Sequence, residues 1–453
     1  MAAPVAKNDE LELTIDSLAY GGNGVARLNG FVVFVRRGLP GDTVRARVTK
    51  VKRGYAEATA TDVLAPSPQR VEAPCRHFRE GCGGCRFQDL AYGAQAAAKE
   101  AQVRDALTRI GGIADPPLEP IVPAAEPFHY RNKLEYSFTD TPRGAALGFH
   151  RAGRWDEVLE VERCWLTTEL GNAIRDAVRE WAQEEGLPAY DQEAQRGYLR
   201  HLVVREGRNT RQALVQLVTA PGDLQGADRL VAALRQFPEV RSIHWAVNDS
   251  PAEVTNLPTN LLWGDEAIEE ELLGLRYRVR PSAFLQTNTT MAERLYELAV
   301  DYAALTGTET VYDLYCGIGA IGLSMASRAL TVWGVEVSEE SVACAIENAG
   351  LNGVTNAAFF AGEVGASLEE LAERAGPPDV AVVDPPRAGL SQKVVRRILE
   401  AQPSRIVYVS CNPTTLAPNA RQMVDAGYRL VTVRPVDMFP QTPHIECVAL
   451  LER

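Results

Sequence analysis

Along residues 8 to 65, apolar and polar positions alternate in short runs (LELTIDSL, GFVVFVRR, DTVRARVTKV, YAEATATDVL) split by the turns GGNG and GLPGD. A period of two turns one face of each run toward a core and the other toward water, so the pattern predicts a small antiparallel β-barrel of OB-like type. The proline-rich stretch APSPQRVEAP sets a boundary near residue 66. Past it, AYGAQAAAKEAQVRDALTRIGGI predicts a helix over about 91–112, closed by a double glycine and placed against the last domain. LRHLVVREG, QALVQLV and RSIHWAVN then read as neighbouring strands of a mixed α+β central domain. From about residue 281, apolar strands alternate with amphipathic helices, which predicts right-handed βαβ crossovers and a Rossmann-like parallel sheet covered on both faces. The expected domains are 1–66, 67–280 and 281–453.

Composition narrows the class. The chain has 453 residues, of which 46% are hydrophobic and 23% charged, as in globular proteins of several domains. No run approaches the ~18 apolar residues of a membrane span. MAAPVAKNDELEL lacks the marks of a signal peptide, so a cytoplasmic protein is expected, with no membrane and no obligate protein partner. A net charge of −12 argues against coating nucleic acid by bulk charge. Locally, however, Arg36, Arg37, Arg45, Arg47, Lys50, Lys52 and Arg53 face only Asp42, seven positive charges against one negative. That stripe suits a phosphate backbone; its other reading is solvated charge on outward strand faces. The 8 cysteines of a cytoplasmic chain point to metal or catalysis and not to a disulfide framework.

The run Asp313-Leu-Tyr-Cys-Gly317-Ile-Gly319-Ala-Ile-Gly322 ends a strand and opens a helix, and Glu336 closes the next strand, 19 residues after Gly317. Glycines let the backbone approach a ligand, and the carboxylate can accept both ribose hydroxyls. This predicts an adenosine-bearing cofactor, with dinucleotide and S-adenosylmethionine both open. Asp384-Pro385-Pro386-Arg387 favours the second. An Asp-Pro-Pro at a strand end presents carbonyls that no proline N–H can satisfy, and it resembles the fourth motif of base-modifying methyltransferases. The strand RIVYVS carries Cys411 to the same edge. Carbon 5 of uracil is a poor nucleophile until a thiolate adds at carbon 6, and such chemistry also needs a carboxylate to remove the carbon 5 proton. Glu446, in the apolar run PHIECVALL, is a candidate whose affinity for a proton burial would raise; its other reading is a solvent-facing carboxylate.

FLQTN, DLYCGIG, DPPRAGL, SCNPTTLAPNA and FPQTPHIE together resemble the RNA uracil-C5 methyltransferase family, and YGGNGVARLNGF with GLPGDTVRARV resembles its TRAM-type RNA-binding module. The resemblance implies Cys411 as nucleophile and Glu446 as base, with Gln286, Tyr315, Glu336, Glu363 and Asp384 lining an S-adenosylmethionine site. Cys75, Cys82 and Cys85 form C-x6-C-x2-C, and Cys164 is the available fourth ligand. Spacing leaves zinc and an iron–sulfur cluster open, with His77 a further zinc candidate. Relatives with this cluster bind [4Fe–4S] through four such cysteines, and they commonly act on large-subunit (23S) ribosomal RNA. The expected product is therefore 5-methyluridine in that RNA, with the transfer RNA T-loop as alternative. Cytosine-C5 enzymes place a cysteine where Arg387 stands, and exocyclic-amine enzymes an aromatic. A noncatalytic iron–sulfur RNA-binding protein and a nicotinamide-dependent redox enzyme are the readings of other classes.

Overall fold

The computed structural model describes residues 3–453. Its first sheet holds β1 (Glu10–Thr14), β2 (Ser17–Leu18), β3 (Gly24–Leu28), β4 (Phe31–Arg36), β5 (Thr43–Val51) and β6 (Tyr55–Ala65), in the order β1-β5-β6-β4-β3-β2. In β5 the alternation is strict: Val44, Ala46 and Val48 are buried while Arg45 and Arg47 face water. Each such valine contributes about 1.5–3 kcal/mol through burial. The sheet departs from the expected antiparallel barrel in two respects. β4 and β6 run parallel, because β5 intervenes in sequence and pairs with both β1 and β6. No ladder joins β1 to β2 among the described residues, since β2 spans two residues.

The second sheet has the order β13-β12-β11-β10-β7-β8-β9. Its strands are β7 (Lys133–Thr141), β8 (Gly144–His150), β9 (Val158–Glu160), β10 (Leu199–Gly207), β11 (Gln212–Thr219), β12 (Val240–Val247) and β13 (Thr259–Gly264). Only β11 and β12 pair in parallel. Every residue of β10 is buried, because helices cover one face of the sheet and the hairpin β14 (Ile268–Leu272) and β15 (Leu275–Val279) approaches the other. Ahead of this sheet in the chain lie a short helix α1 (Arg76–Glu80) and α2 (Tyr92–Asp105), which runs into one π-helical turn, Ala106–Ile110. The covering helices are α3 (Glu169–Glu184) and α4 (Ala227–Leu234).

The third sheet contains β16 (Thr310–Leu314), β17 (Thr331–Glu336), β18 (Ala357–Ala361), β19 (Val380–Val383), β20 (Arg405–Ser410), β21 (Arg429–Val436) and β22 (Glu446–Glu452). Their order is β18-β17-β16-β19-β20-β22-β21. One face packs on α5 (Thr289–Ala303), α6 (Ala320–Ala326) and α7 (Glu339–Leu351). The other packs on α8 (Val364–Ala375), α9 (Gln392–Ala401), α10 (Pro413–Asp425) and the end of α2. The sheet is parallel as expected except at β22, which runs antiparallel to both β20 and β21.

A buried ion pair fastens α2 to the loop after β21. Lys99 Nζ donates to Asp437 Oδ1 at 2.6 Å and to the Phe439 carbonyl at 3.0 Å, with both charged side chains excluded from water. Removing one partner of such a pair typically costs about 3–5 kcal/mol. Among the described residues no helix is long and apolar enough to cross a membrane.

Candidate active site

Parallel strands bring their carboxyl ends to one edge of the third sheet, where ligands of such folds bind. Tyr315 follows β16, Glu336 ends β17, Glu363 lies just past β18, Asp384 follows β19 and Cys411 follows β20. Because β22 runs the other way, its first residue, Glu446, reaches the same edge. Ser410 pairs with Cys447, so Cys411 and Glu446 meet at adjacent strand tips. Asn412 locks the tip: its Oδ1 accepts the Thr414 N–H at 3.0 Å and caps α10, while its Nδ2 donates to the Arg387 carbonyl at 3.0 Å. The Asp-Pro-Pro-Arg turn and the cysteine loop are thus one unit.

The glycine turn is shaped by close approach. Gly319 has φ +82°, and a Cβ there would meet the Phe359 ring at 3.0 Å. Tyr315 holds φ +68°, a strained value for a tyrosine and of the kind found at functional sites. Glu336 accepts N–H groups from Gly317 at 3.3 Å and from Ser338 at 3.0 Å. Asp313 accepts the Gly322 N–H at 2.9 Å through Oδ2, while its buried Oδ1 has no partner. Glu363 is exposed, caps α8 through Gly365 and faces Lys393 at 3.4 Å. Gln286 is buried, and its carbonyl accepts from Asn132 Nδ2 at 3.0 Å.

Burial governs the acid–base state of the site. It pushes the Cys411 thiol up to about 11, with Glu446 and Asp384 adding to the rise and Arg387 opposing it. Asp384 is pushed up to about 7, first by burial and then by Asp313. Glu446, 2% exposed, is raised well above the usual carboxylate range by burial and by Asp384. Its Oε2 has no partner, an omission that typically costs about 1–3 kcal/mol. A buried, proton-seeking carboxyl beside a thiol is therefore maintained against stability.

The sequence profile described as tRNA (Uracil-5-)-methyltransferase matches residues 261–453, and that of the TRAM domain matches residues 4–61. An uncharacterized RNA methyltransferase of Halalkalibacterium halodurans is 40% identical over 99% of this chain and 98% of its own. Another, of Gloeobacter violaceus, is 40% identical over 97% and 95%. The chain belongs to the RNA uracil-C5 methyltransferase family. A solved tRNA (uracil-54, C5)-methyltransferase of Pyrococcus abyssi, in complex with S-adenosyl-L-homocysteine, is similar at 30% identity. It superposes with a TM-score of 0.78 over 97% of this chain and 99% of its own.

As an RNA uracil-C5 methyltransferase, the protein takes S-adenosylmethionine as methyl donor and RNA as substrate. Three residues at the mouth of its site were not singled out as site residues by the sequence. Tyr20, from the TRAM sheet, lies near enough for the charges of Cys411, Arg387 and Glu446 to act on its hydroxyl, which burial raises first. Arg387 Nη2 lies 3.3 Å from His444 Nδ1. The His444 ring is pushed down to about 4 by burial and by Arg387 and Arg131, so it stays neutral at physiological pH. All three lie in motifs that the sequence brings out, Tyr20 in YGGNGVARLNGF, Arg387 in DPPRAGL and His444 in FPQTPHIE.

The methyltransferase's other candidate site is a cavity of about 540 Å³ lined by all four of Cys75, Cys82, Cys85 and Cys164, together with Phe284 and Leu285. Gly83 is required there, because a Cβ would stand 2.6 Å from the His150 carbonyl oxygen. Gln88 Nε2 donates to Cys85 Sγ at 3.1 Å and the Gly84 N–H to Cys82 Sγ at 3.5 Å. His77 is already engaged through both ring nitrogens, with Glu80 at 2.9 Å and the Glu162 N–H at 3.1 Å. Among the described residues no group of three or more His, Cys, Asp or Glu side chains is arranged to hold a single metal ion.

Proposed function

We propose that this enzyme forms 5-methyluridine at one position of a folded RNA through a covalent adduct of Cys411. The observation that carries the reading is the meeting of Cys411 and Glu446 at neighbouring strand tips, with an unpartnered oxygen on the buried acid. The Cys411 thiolate forms a bond to carbon 6, and the ring's π pair moves to carbon 5 as an enolate. Bound S-adenosylmethionine supplies the methyl group as an electrophilic sulfonium. Glu446 then takes the proton from carbon 5; the released pair restores the double bond and expels the thiolate. Arg387 sits where it favours the thiolate. Glu336, with two oxygens accepting from the glycine turn and its neighbour, suits the ribose, and Gln286, Tyr315, Glu363 and Asp384 complete the cofactor cleft.

The donor set of four thiols around a cavity suits [4Fe–4S] better than zinc. A single Zn²⁺ needs its ligands to converge within about 2.3 Å of one atom, whereas a cluster takes one thiolate on each of several irons. Cys75, Cys82, Cys85 and Cys164 would hold it and tie the TRAM-proximal loop to the second sheet. Protein purified without oxygen should contain iron and acid-labile sulfide in equal amounts. Cys85→Ser should lose both, and retained iron would exclude the assignment.

Large-subunit ribosomal RNA is the proposed substrate, on the resemblance of the cysteine cluster. The similarity to the Pyrococcus abyssi enzyme supports the transfer RNA T-loop as the second reading. Incubating the enzyme and methyl-labelled cofactor with total RNA from cells lacking it, then mapping the label, decides between them. Label at carbon 5 of one uridine is expected; label on cytosine or on an exocyclic amine would overturn the reading.

A further inference from the structure

Of the seven basic residues of the stripe, Lys52 and Arg53 stand exposed on the turn between β5 and β6, and the other five fall into two groups. Arg45, Arg47 and Lys50 are neutralised across the strands, by Asp62 at 3.6 Å, Glu10 at 2.9 Å and Glu57 at 3.2 Å. Arg36 and Arg37, at the end of β4, are not. Arg36 donates to the neutral carbonyl of Ala152, and Arg37 is exposed on a backbone with φ +67°. Arg86, from the cysteine loop, joins them. Its Nη2 donates to the Asn23 amide oxygen at 2.8 Å, and burial first, then the like charges of Arg36 and Arg37, work against its charged form. Guanidinium groups gathered without an acidic partner repel one another, and an anion arriving between them relieves that repulsion.

These three arginines wall a cleft of about 460 Å³ between the first sheet and the cysteine loop. The acids on its walls are spoken for: Asp62 by Arg45, Asp89 by Arg70 at 2.7 Å and Glu72 by Arg79 at 3.4 Å. The cleft is also joined to the reaction centre. The N–H groups of Arg86 and Phe87 donate to the Gln441 carbonyl at 2.7 and 3.2 Å, five residues before Glu446. Gly22 packs on the same pair, where a Cβ would meet Phe87 at 3.0 Å and Arg86 at 3.1 Å. The turn it belongs to carries Tyr20, 36% exposed and within range of the charges of Cys411, Arg387 and Glu446.

We propose that the seam walled by Arg36, Arg37 and Arg86 is a phosphodiester-binding site for the single strand of RNA that flanks the target uridine. This inference rests on the proposed function, which requires the target base to leave its stack, and a strand so opened exposes consecutive phosphates and unstacked bases. The arginines hold the phosphates, and Tyr20 offers its ring to a base on the way to Cys411.

The test compares two doubly substituted proteins of equal net charge, using fluorescein-labelled oligouridylate as the probe. Arg37→Gln/Arg86→Gln should lower the slope of log affinity against log salt by about 1.4, two single-strand phosphate contacts, whereas Arg47→Gln/Lys50→Gln should keep the parental slope. Arg37→Lys/Arg86→Lys should restore most of it. Should Arg86→Gln disturb the seam, the exposed Arg37→Gln alone should lower the slope by about 0.7. Unchanged slope and affinity in the first pair, or an equal loss in the second, overturns the proposal. Methyl transfer by the unsubstituted enzyme is scored apart, so a protein that binds through the seam but labels no uridine fails the catalytic reading alone.

Discussion

Cys411→Ala should abolish methyl transfer, lowering the rate by at least about 10⁴-fold, since removal of a covalent nucleophile has cost other enzymes on the order of 10⁶-fold. The loss should fall on kcat, with S-adenosylmethionine binding unchanged, because the cofactor turn after β16 and the strand tip after β20 are separate structures. Folding should be spared too: Cys411 is only partly buried, and its loop is held by Asn412 and not by the thiol. The same thiol fixes the pH dependence. Cys411 and Glu446 both act when deprotonated, and burial raises both toward the protonated form. The rate should therefore climb as pH rises from about 7 to about 9. A flat profile, or an alanine variant of undiminished rate, would remove the thiolate from the reaction.

Glu446→Gln should do something different. A glutamine has the size and neutrality of the protonated acid already favoured at that buried position, so the protein should fold as before. It cannot take the carbon 5 proton. The reaction should stop after methylation, with RNA joined to Cys411 by a bond that survives denaturing electrophoresis, and turnover should fall by about 10²–10⁴-fold. Rapid turnover without a trapped complex would assign the proton to another group, with Asp384, pushed up to about 7, next in line.

The strand tips were legible in the sequence because motif and periodicity coincide there: RIVYVS is an apolar run of strand length, and Cys411 is the first residue past it. Glu446 was legible as a carboxylate in an apolar strand, but its burial was not, since ECVALLE reads alike whether the strand runs with its neighbours or against them. The direction of β22 is a tertiary property, and it is what carries Glu446 to the reactive edge. The basic stripe shows the opposite limit. Counting found seven cations and one acid between residues 36 and 53, yet Arg47 is cancelled by Glu10, 37 positions away, and Arg45 by Asp62. Local charge in sequence overstated the free charge on the sheet and missed Arg86, which comes from another segment. His77 was a reasonable metal ligand by spacing; its engagement with Glu162 depends on a contact 85 residues distant.

The position of β22 also makes the catalytic pair depend on one strand junction. β22 follows β21 in the chain and pairs antiparallel with it as a hairpin, while its other edge pairs with β20. Nucleophile and base come together only where the hairpin docks on β20, so a molecule whose β20–β22 ladder has opened has lost the pair that attacks RNA.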